Sequence, residues 1–183
     1  MSYHYLISSL PGISLGNKPA LSMDEFLANC QALLTEQDWT ALQSLMDINN
    51  PPSTNNFVNN WAARETQLRN AAARLRAARR NKDAVDFIRN HSGFDLSIEN
   101  KVEEAFNQPN PLEREKAIDL IRWTFLDELA GTDPFSTNVL MAYALKLKIA
   151  ERWAAMNQDQ GQEKIEKAIE RTEEKEETPK TDN

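Results

Sequence analysis

The most informative parts of this chain are PLEREKAIDLIRWTFLDEL, residues 111–129, and AYALKLKIAERW, residues 142–153. Their apolar residues recur at helical spacing, which predicts two amphipathic helices. Both segments also carry charged residues within their most apolar stretches, and a buried charge is costly unless it is paired. Arg122 and Glu151 are candidates for a pair between the two helices. A simpler interpretation places the charged side chains on the far faces of both helices.

Helix signals continue toward the N-terminus. Ser22 with Glu25 forms a capping box, and Thr35 can cap the next short helix. Residues 57–80 are rich in alanine, leucine and arginine, which predicts one long helix. Shorter helices are predicted over 84–89 and 97–106.

The two ends of the chain have different patterns. Residues 3–10, YHYLISSL, combine aromatic and β-branched residues and stop at a Pro-Gly turn, which predicts a short strand or an extended arm. The last apolar helix is predicted over 135–156. We therefore expect an all-α fold, a bundle of about six helices with an extended N-terminal segment. Residues 1–161 form its single helical domain, and 162–183 form a charged tail, helical or disordered.

The composition limits the classes of protein. The 183 residues carry a formal net charge of −7, which is unsuited to coating nucleic acid or an anionic membrane. The single cysteine, Cys30, excludes an internal disulfide framework and is expected to be a small buried apolar residue. No apolar run approaches the roughly 20 residues of a membrane span. The N-terminus lacks the basic region of a signal peptide.

The sequence contains no motif that indicates a catalytic centre. Its two histidines and one cysteine have no zinc spacing, and Glu115 and Asp119 are better explained by pairing with Arg122 or Arg114 than by a metal. There is no glycine-rich phosphate loop and no nucleophile elbow. We therefore expect a protein without cofactors that is not an enzyme.

A basic stretch, residues 64–82, is the strongest charge feature. It carries seven cationic side chains against one glutamate. Three interpretations remain open: a solvated face that pairs with the chain's own acidic helices, a contact for an acidic protein, or a contact for nucleic acid. Together with mixed charge around the aromatic residues of the two motif helices, it gives a predicted partner-contact set. That set is Arg69, Arg76, Arg79, Arg80, Arg122, Trp123, Lys146 and Arg152.

Four segments in order carry a family resemblance: YHYLISSLPGISLGNKPALSMDEFL, LRNAAARLRAARR, PLEREKAIDLIRWTFLDEL and AYALKLKIAERW. Over roughly residues 3–165 the chain resembles an uncharacterised family of small proteins encoded with bacterial V-type ATPase subunits. That family is similar to a shortened form of the C-type socket component of V-type ATPases, which is the d-type component in eukaryotes.

The resemblance implies a non-catalytic role. The C-type component is an all-helical socket on the membrane rotor ring that receives the central stalk. The resemblance therefore implies a subunit or accessory factor that contacts the stalk and ring, binds no nucleic acid, and lies in the cytoplasm at the inner membrane without crossing it. The alternative is a stand-alone helical adaptor or RNA-binding protein that uses the basic helix 64–82.

Overall fold

A computed structural model describes residues 3–47 and 53–176 of the chain, with the backbone alone from 157 onward. Within these residues the chain forms seven α-helices and no strand, so the predicted all-α fold is confirmed there. The helices are α1 (His4–Ser9), α2 (Met23–Leu33), α3 (Glu36–Met46), α4 (Asn56–Ala78), α5 (Leu96–Phe106), α6 (Pro111–Ala130) and α7 (Thr137–Glu176). A 3-10 turn, Val85–Phe87, lies between α4 and α5.

Several helices begin where their capping residues predict. The Ser22–Glu25 capping box is formed in full, and the Thr35 side chain accepts a hydrogen bond from the backbone N–H of Asp38. Asn110 caps α6, and Pro111 occupies the first turn, where its missing N–H leaves no bond unmade. These local bonds satisfy backbone groups that helix starts leave unpaired.

Helices α3 and α7 both contribute to the two apolar clusters of the fold, and α7 supplies more of the buried residues. The larger cluster contains residues of all five helices from α3 through α7, including Phe125, Met141 and Trp153. The smaller cluster joins α1, α2 and α3 to α7 around Phe26 and Leu147. Residues 140–150 of α7 are therefore buried on nearly all sides, which explains why this segment is so apolar.

The predicted N-terminal strand or extended arm over residues 3–10 is wrong. Residues His4–Ser9 form the short helix α1, which buries Leu6. Tyr3 fixes this segment, because its hydroxyl donates to Asp38 Oδ2 at 2.6 Å and accepts from the Thr35 N–H at 3.2 Å. Packing against α2 and α3 thus outweighs the local strand preference. Residues 10–22 then connect α1 to α2 without regular secondary structure.

Three further predictions about helices need correction. The helix predicted over 84–89 is only the 3-10 turn. Leu112 is one of the apolar residues of the segment 111–129, whose helical spacing predicted a buried face, and it is 41% exposed. The predicted end of the last helix near Met156 is also wrong: α7 continues through Gly161 to Glu176, since strong helix formers around one glycine offset its cost of about 1 kcal/mol.

The division between the domain and the tail at residue 161 stays a prediction. The predicted disorder from Thr178 onward lies outside the described residues.

Cys30 has the predicted environment. Its side chain is fully buried in the smaller cluster, and this burial raises the pKa of the thiol to about 12. Because the thiolate is the reactive form, Cys30 is a packing residue rather than a nucleophile.

Candidate functional site

Asp119 in α6 is fully buried at the centre of a charge network. Its Oδ1 accepts a hydrogen bond from Arg122 Nη1 at 2.8 Å, and its Oδ2 accepts one from the indole Nε1 of Trp153 at 2.7 Å. Arg152 of α7 forms an ion pair with the same Oδ2. These three donors offset the cost of removing the carboxylate from water.

Arg122 extends the network from α6 to α4. Its Nε and Nη2 donate to the two carboxylate oxygens of Glu65 at 2.9 and 3.0 Å, the two-pronged geometry that favours arginine. Arg69 donates to the same glutamate through Nε at 2.6 Å. Burial acts to lower the pKa of Arg122, but the charges and hydrogen bonds of Glu65 and Asp119 outweigh it and hold the pKa above its ordinary value. The network thus ties α4, α6 and α7 together through charged groups.

A cleft of about 540 Å³ borders this network. It lies between α4, α6, α7 and the segment that follows α4. The cationic side chains in its lining are Arg69, Arg89, Arg122, Lys148 and Arg152, and the carboxylates are Asp47, Glu65 and Asp119. The lining is therefore more cationic than anionic, although the whole chain carries a net charge of −7.

The connection between α4 and α5 exposes large apolar side chains, and we call residues 84–96 the apolar loop. The exposed side chains are Val85, Phe87 and Phe94 at 69% each, Leu96 at 62% and Ile88 at 38%. Phe87 lines the charged cleft, and Phe94 lines a second groove of about 370 Å³. Exposed apolar groups concentrated in one segment are typical of interaction sites.

Two buried amides of α4 hold the apolar loop in place. The Gln67 amide donates to the backbone oxygen of Asp95 at 2.8 Å and accepts from its N–H at 3.0 Å. The Asn70 amide makes the same pair of bonds to Arg89, at 2.7 and 3.0 Å. Gln67 and Asn70 are only 3% and 2% exposed. The loop backbone is thus fixed at two points, while its apolar side chains remain in solvent.

The structure separates the eight residues of the predicted partner-contact set. Arg69, Arg122 and Arg152 meet at the charged cleft. Four others lie elsewhere in two pairs: Arg76 and Arg79 over the Phe106 ring at 5.6 and 5.2 Å, and Lys146 5.1 Å from the centre of the Trp123 ring. Arg80 is exposed just beyond α4. Their contact with a partner stays a prediction.

Much of the basic stretch 64–82 is paired within the chain, as one of the three interpretations expected. Its ion pairs with other helices are Arg64–Glu128 and Arg74–Glu99 at 2.6 Å and Arg76–Glu115 at 3.7 Å. Arg79 donates to the backbone oxygen of Phe106. These bonds engage arginines that a nucleic-acid interface would need.

The expectation that the charged residues of α6 and α7 lie on the far faces is wrong for Arg122. Its side chain is only 17% exposed and faces α4. The candidate pair between Arg122 and Glu151 is not formed either, because Glu151 Oε1 accepts the N–H of Met23 at 2.7 Å. The predicted pairing of Asp119 with Arg122 is confirmed.

The structure adds two functional features that the sequence analysis missed: the role of Trp153 beside Asp119 and the apolar loop. The only signal for the loop was a group of apolar residues, DFIRNHSGFDL (86–96), without an amphipathic period. Among the described residues, no group of histidine, cysteine and carboxylate side chains is arranged to hold a metal ion. No helix in that part of the chain is long and apolar enough to cross a membrane.

The protein is a helical bundle with two apolar clusters and a buried charge network. Residues 47–176 match the family described as "Protein of unknown function (DUF2764)", and the chain belongs to that family. Neither a curated protein nor a solved structure matches the chain. The predicted membership of an uncharacterised family is confirmed. The match spans α4 to α7, and with them the network, the charged cleft and the apolar loop.

Proposed function

We propose that this protein is a non-catalytic subunit or accessory factor of a bacterial V-type ATPase. In this role it contacts the central stalk and the membrane ring from the cytoplasmic side of the inner membrane, without entering the bilayer. The choice of complex is supported by the four sequence segments that resemble the family encoded with such ATPases. A role in protein contact is supported by the surface of the molecule.

The exposure of the apolar loop is the observation that best supports a role in protein contact. Burying one exposed phenylalanine side chain stabilises a complex by about 1.5 to 3 kcal/mol. Phe87 and Phe94 are both available for such burial, since each is 69% exposed. Because Gln67 and Asn70 already fix the loop backbone, the loop would lose little conformational entropy when a partner binds. Aromatic side chains are enriched in the cores of protein interfaces, so two exposed phenylalanines on a fixed backbone suit a contact surface.

The helical scaffold suits a part that transmits force or holds other subunits in place. Helices α4, α6 and α7 are joined by the Asp119 network as well as by apolar packing. A network with paired charges resists sliding of one helix past another, because any shift would leave a buried charge without its partner. A socket or an assembly factor needs such rigidity.

An affinity purification from membranes of the native host tests the proposal. The tagged wild-type chain is compared with Phe87→Ser/Phe94→Ser and with a control, Leu112→Ser/Leu120→Ser, which removes exposed leucines on α6. We expect the wild type and the control to recover the head, stalk and ring subunits, and the loop variant to lose them. Absence of these subunits from the wild-type sample, while the intact complex survives, would contradict the proposal.

The same samples address the alternative of an RNA-binding protein. RNA that is recovered with the wild type and released steeply by salt would favour that alternative, since phosphate contacts depend strongly on ionic strength. The internal ion pairs of Arg64, Arg74 and Arg76 make this outcome the less expected one.

A further inference from the structure

The charged cleft concentrates positive charge in an acidic protein. Three arginines of its lining, Arg69, Arg122 and Arg152, share the two carboxylates Glu65 and Asp119. One positive charge is left in excess within the network itself. Such an excess favours the binding of an anion nearby.

Two further cations border the cleft without an ion-pair partner among the described residues. Arg89 belongs to the apolar loop, and Lys148 belongs to α7. The backbone of Arg89 is fixed by the Asn70 amide, which holds the residue at the cleft while its guanidinium remains unpaired within the described part of the chain.

The exposed arginines of the network also keep unused donors. Arg69 bonds to Glu65 only through Nε, and Arg152 bonds to Asp119 only through Nη2. Their side chains are 62% and 48% exposed. An arginine carries five N–H donors, so most donors of both groups remain for solvent or a ligand.

The walls between these cations are partly apolar. Trp61, Phe87 and Ile149 line the same cleft, whose volume of about 540 Å³ lies within the range of small-molecule sites. The unpaired cations come from two different walls, so a ligand with two anionic groups can present one to each. We propose that this cleft binds a small organic anion that carries at least two phosphate or carboxylate groups. This site does not depend on the proposed link to the ATPase.

Isothermal titration calorimetry on the full chain tests the site, with pyrophosphate and citrate as probes at matched ionic strength. The site variant is Arg89→Gln/Lys148→Gln, and the control is Lys18→Gln/Lys116→Gln. The control removes the same charge from exposed positions outside the cleft. Thermal melting checks that all variants are folded, and the single variant Lys148→Gln serves if the double variant is not.

We expect the wild type and the control to bind at least one probe, and the site variant to bind it at least about tenfold more weakly, because two charged hydrogen-bond donors are lost. Tighter binding of pyrophosphate would indicate a phosphate ligand, and tighter binding of citrate a carboxylate ligand. The proposal is overturned if neither probe binds the wild type. It is equally overturned if the site variant and the control bind with the same affinity.

Discussion

The junction of α4, α6 and α7 and the apolar loop are opposites in polarity. The junction buries charged side chains, including Asp119 with no exposed surface, whereas the loop leaves large apolar side chains such as Phe87 in solvent. Each arrangement costs free energy in isolation. The junction recovers that cost within the chain, because its charges are paired with one another. The loop can recover it by contact with another molecule.

This difference separates residues that maintain the fold from residues available for binding. Substitutions in the junction should lower stability, because they break pairs that already exist. Substitutions of the exposed loop side chains should leave stability nearly unchanged and affect association instead.

Asp119→Ala is expected to have the largest effect. It removes the partner of Arg122, Arg152 and the Trp153 indole, and we expect a loss of about 3 kcal/mol in the free energy of unfolding. This loss is at the low end of the range for breaking a buried ion pair, because Glu65 still pairs with Arg122. Asp119→Asn should cost less, since its amide oxygen can still accept from the indole. Urea denaturation measures both.

Asp127→Ala is the matched control for the Asp119 variants. Asp127 also pairs with a cation of α7, Lys146, but its side chain is 62% exposed. Its loss should therefore cost less than about 1 kcal/mol. If Asp127→Ala and Asp119→Ala proved equally destabilising, the distinction between buried and exposed charge in this fold would fail.

Gln67→Ala is expected to cause the second-largest loss of stability. It removes two part-buried hydrogen bonds between the Gln67 amide and the Asp95 backbone, each of which contributes about 0.5 to 1.5 kcal/mol. Amide hydrogen exchange measures the result site by site, and the Asp95 amide should exchange much faster than in the wild type. Amides in the centre of α7 should exchange faster only to the extent that the free energy of global unfolding falls. Unaltered protection of Asp95 would show that the amide does not hold the loop.

Arg64→Gln is predicted to have a smaller effect. It breaks the pair with Glu128, whose side chain is 49% exposed, and should cost less than about 1 kcal/mol. The loss should shrink further in high salt, because ions screen exposed charges. Denaturation at two salt concentrations provides the comparison. A loss as large as that of Asp119→Ala would mean that the burial of an ion pair does not determine its contribution to stability.

Phe87→Ser/Phe94→Ser should have the smallest effect on stability. Both rings are largely in solvent, so we expect each substitution to change the free energy of unfolding by no more than about 0.5 kcal/mol. A thermal melt together with the affinity purification separates stability from association. A large drop in melting temperature would show that the two rings support the fold rather than a partner.

Elements with strong local signals were predictable from the sequence, and those set by distant contacts were not. The capping box at Ser22 and the proline start of α6 are local, and both were predicted correctly. Helix α1 was missed because Tyr3 is fixed by Thr35 and Asp38, about thirty residues away in sequence.

The candidate site follows the same division. The pairing of Asp119 with Arg122 spans one helical turn and could be predicted. Glu65, the second partner of Arg122, lies 57 residues away, and the periodicity within α4 gives no indication of it. The apolar loop was hidden for the same reason, since its conformation depends on Gln67 and Asn70 in α4. The sequence could name charged residues for the site but could not place them together.

Photo-crosslinking in the native host tests whether the apolar loop contacts subunits of the V-type ATPase. A photoreactive phenylalanine analogue replaces Phe94 in the apolar loop and, as a control, Leu120, which is 57% exposed on α6. We predict crosslinks from position 94 to stalk or ring subunits of the V-type ATPase and none of these from position 120. Equal crosslinking from both positions, or no ATPase subunit from position 94, would contradict the claim.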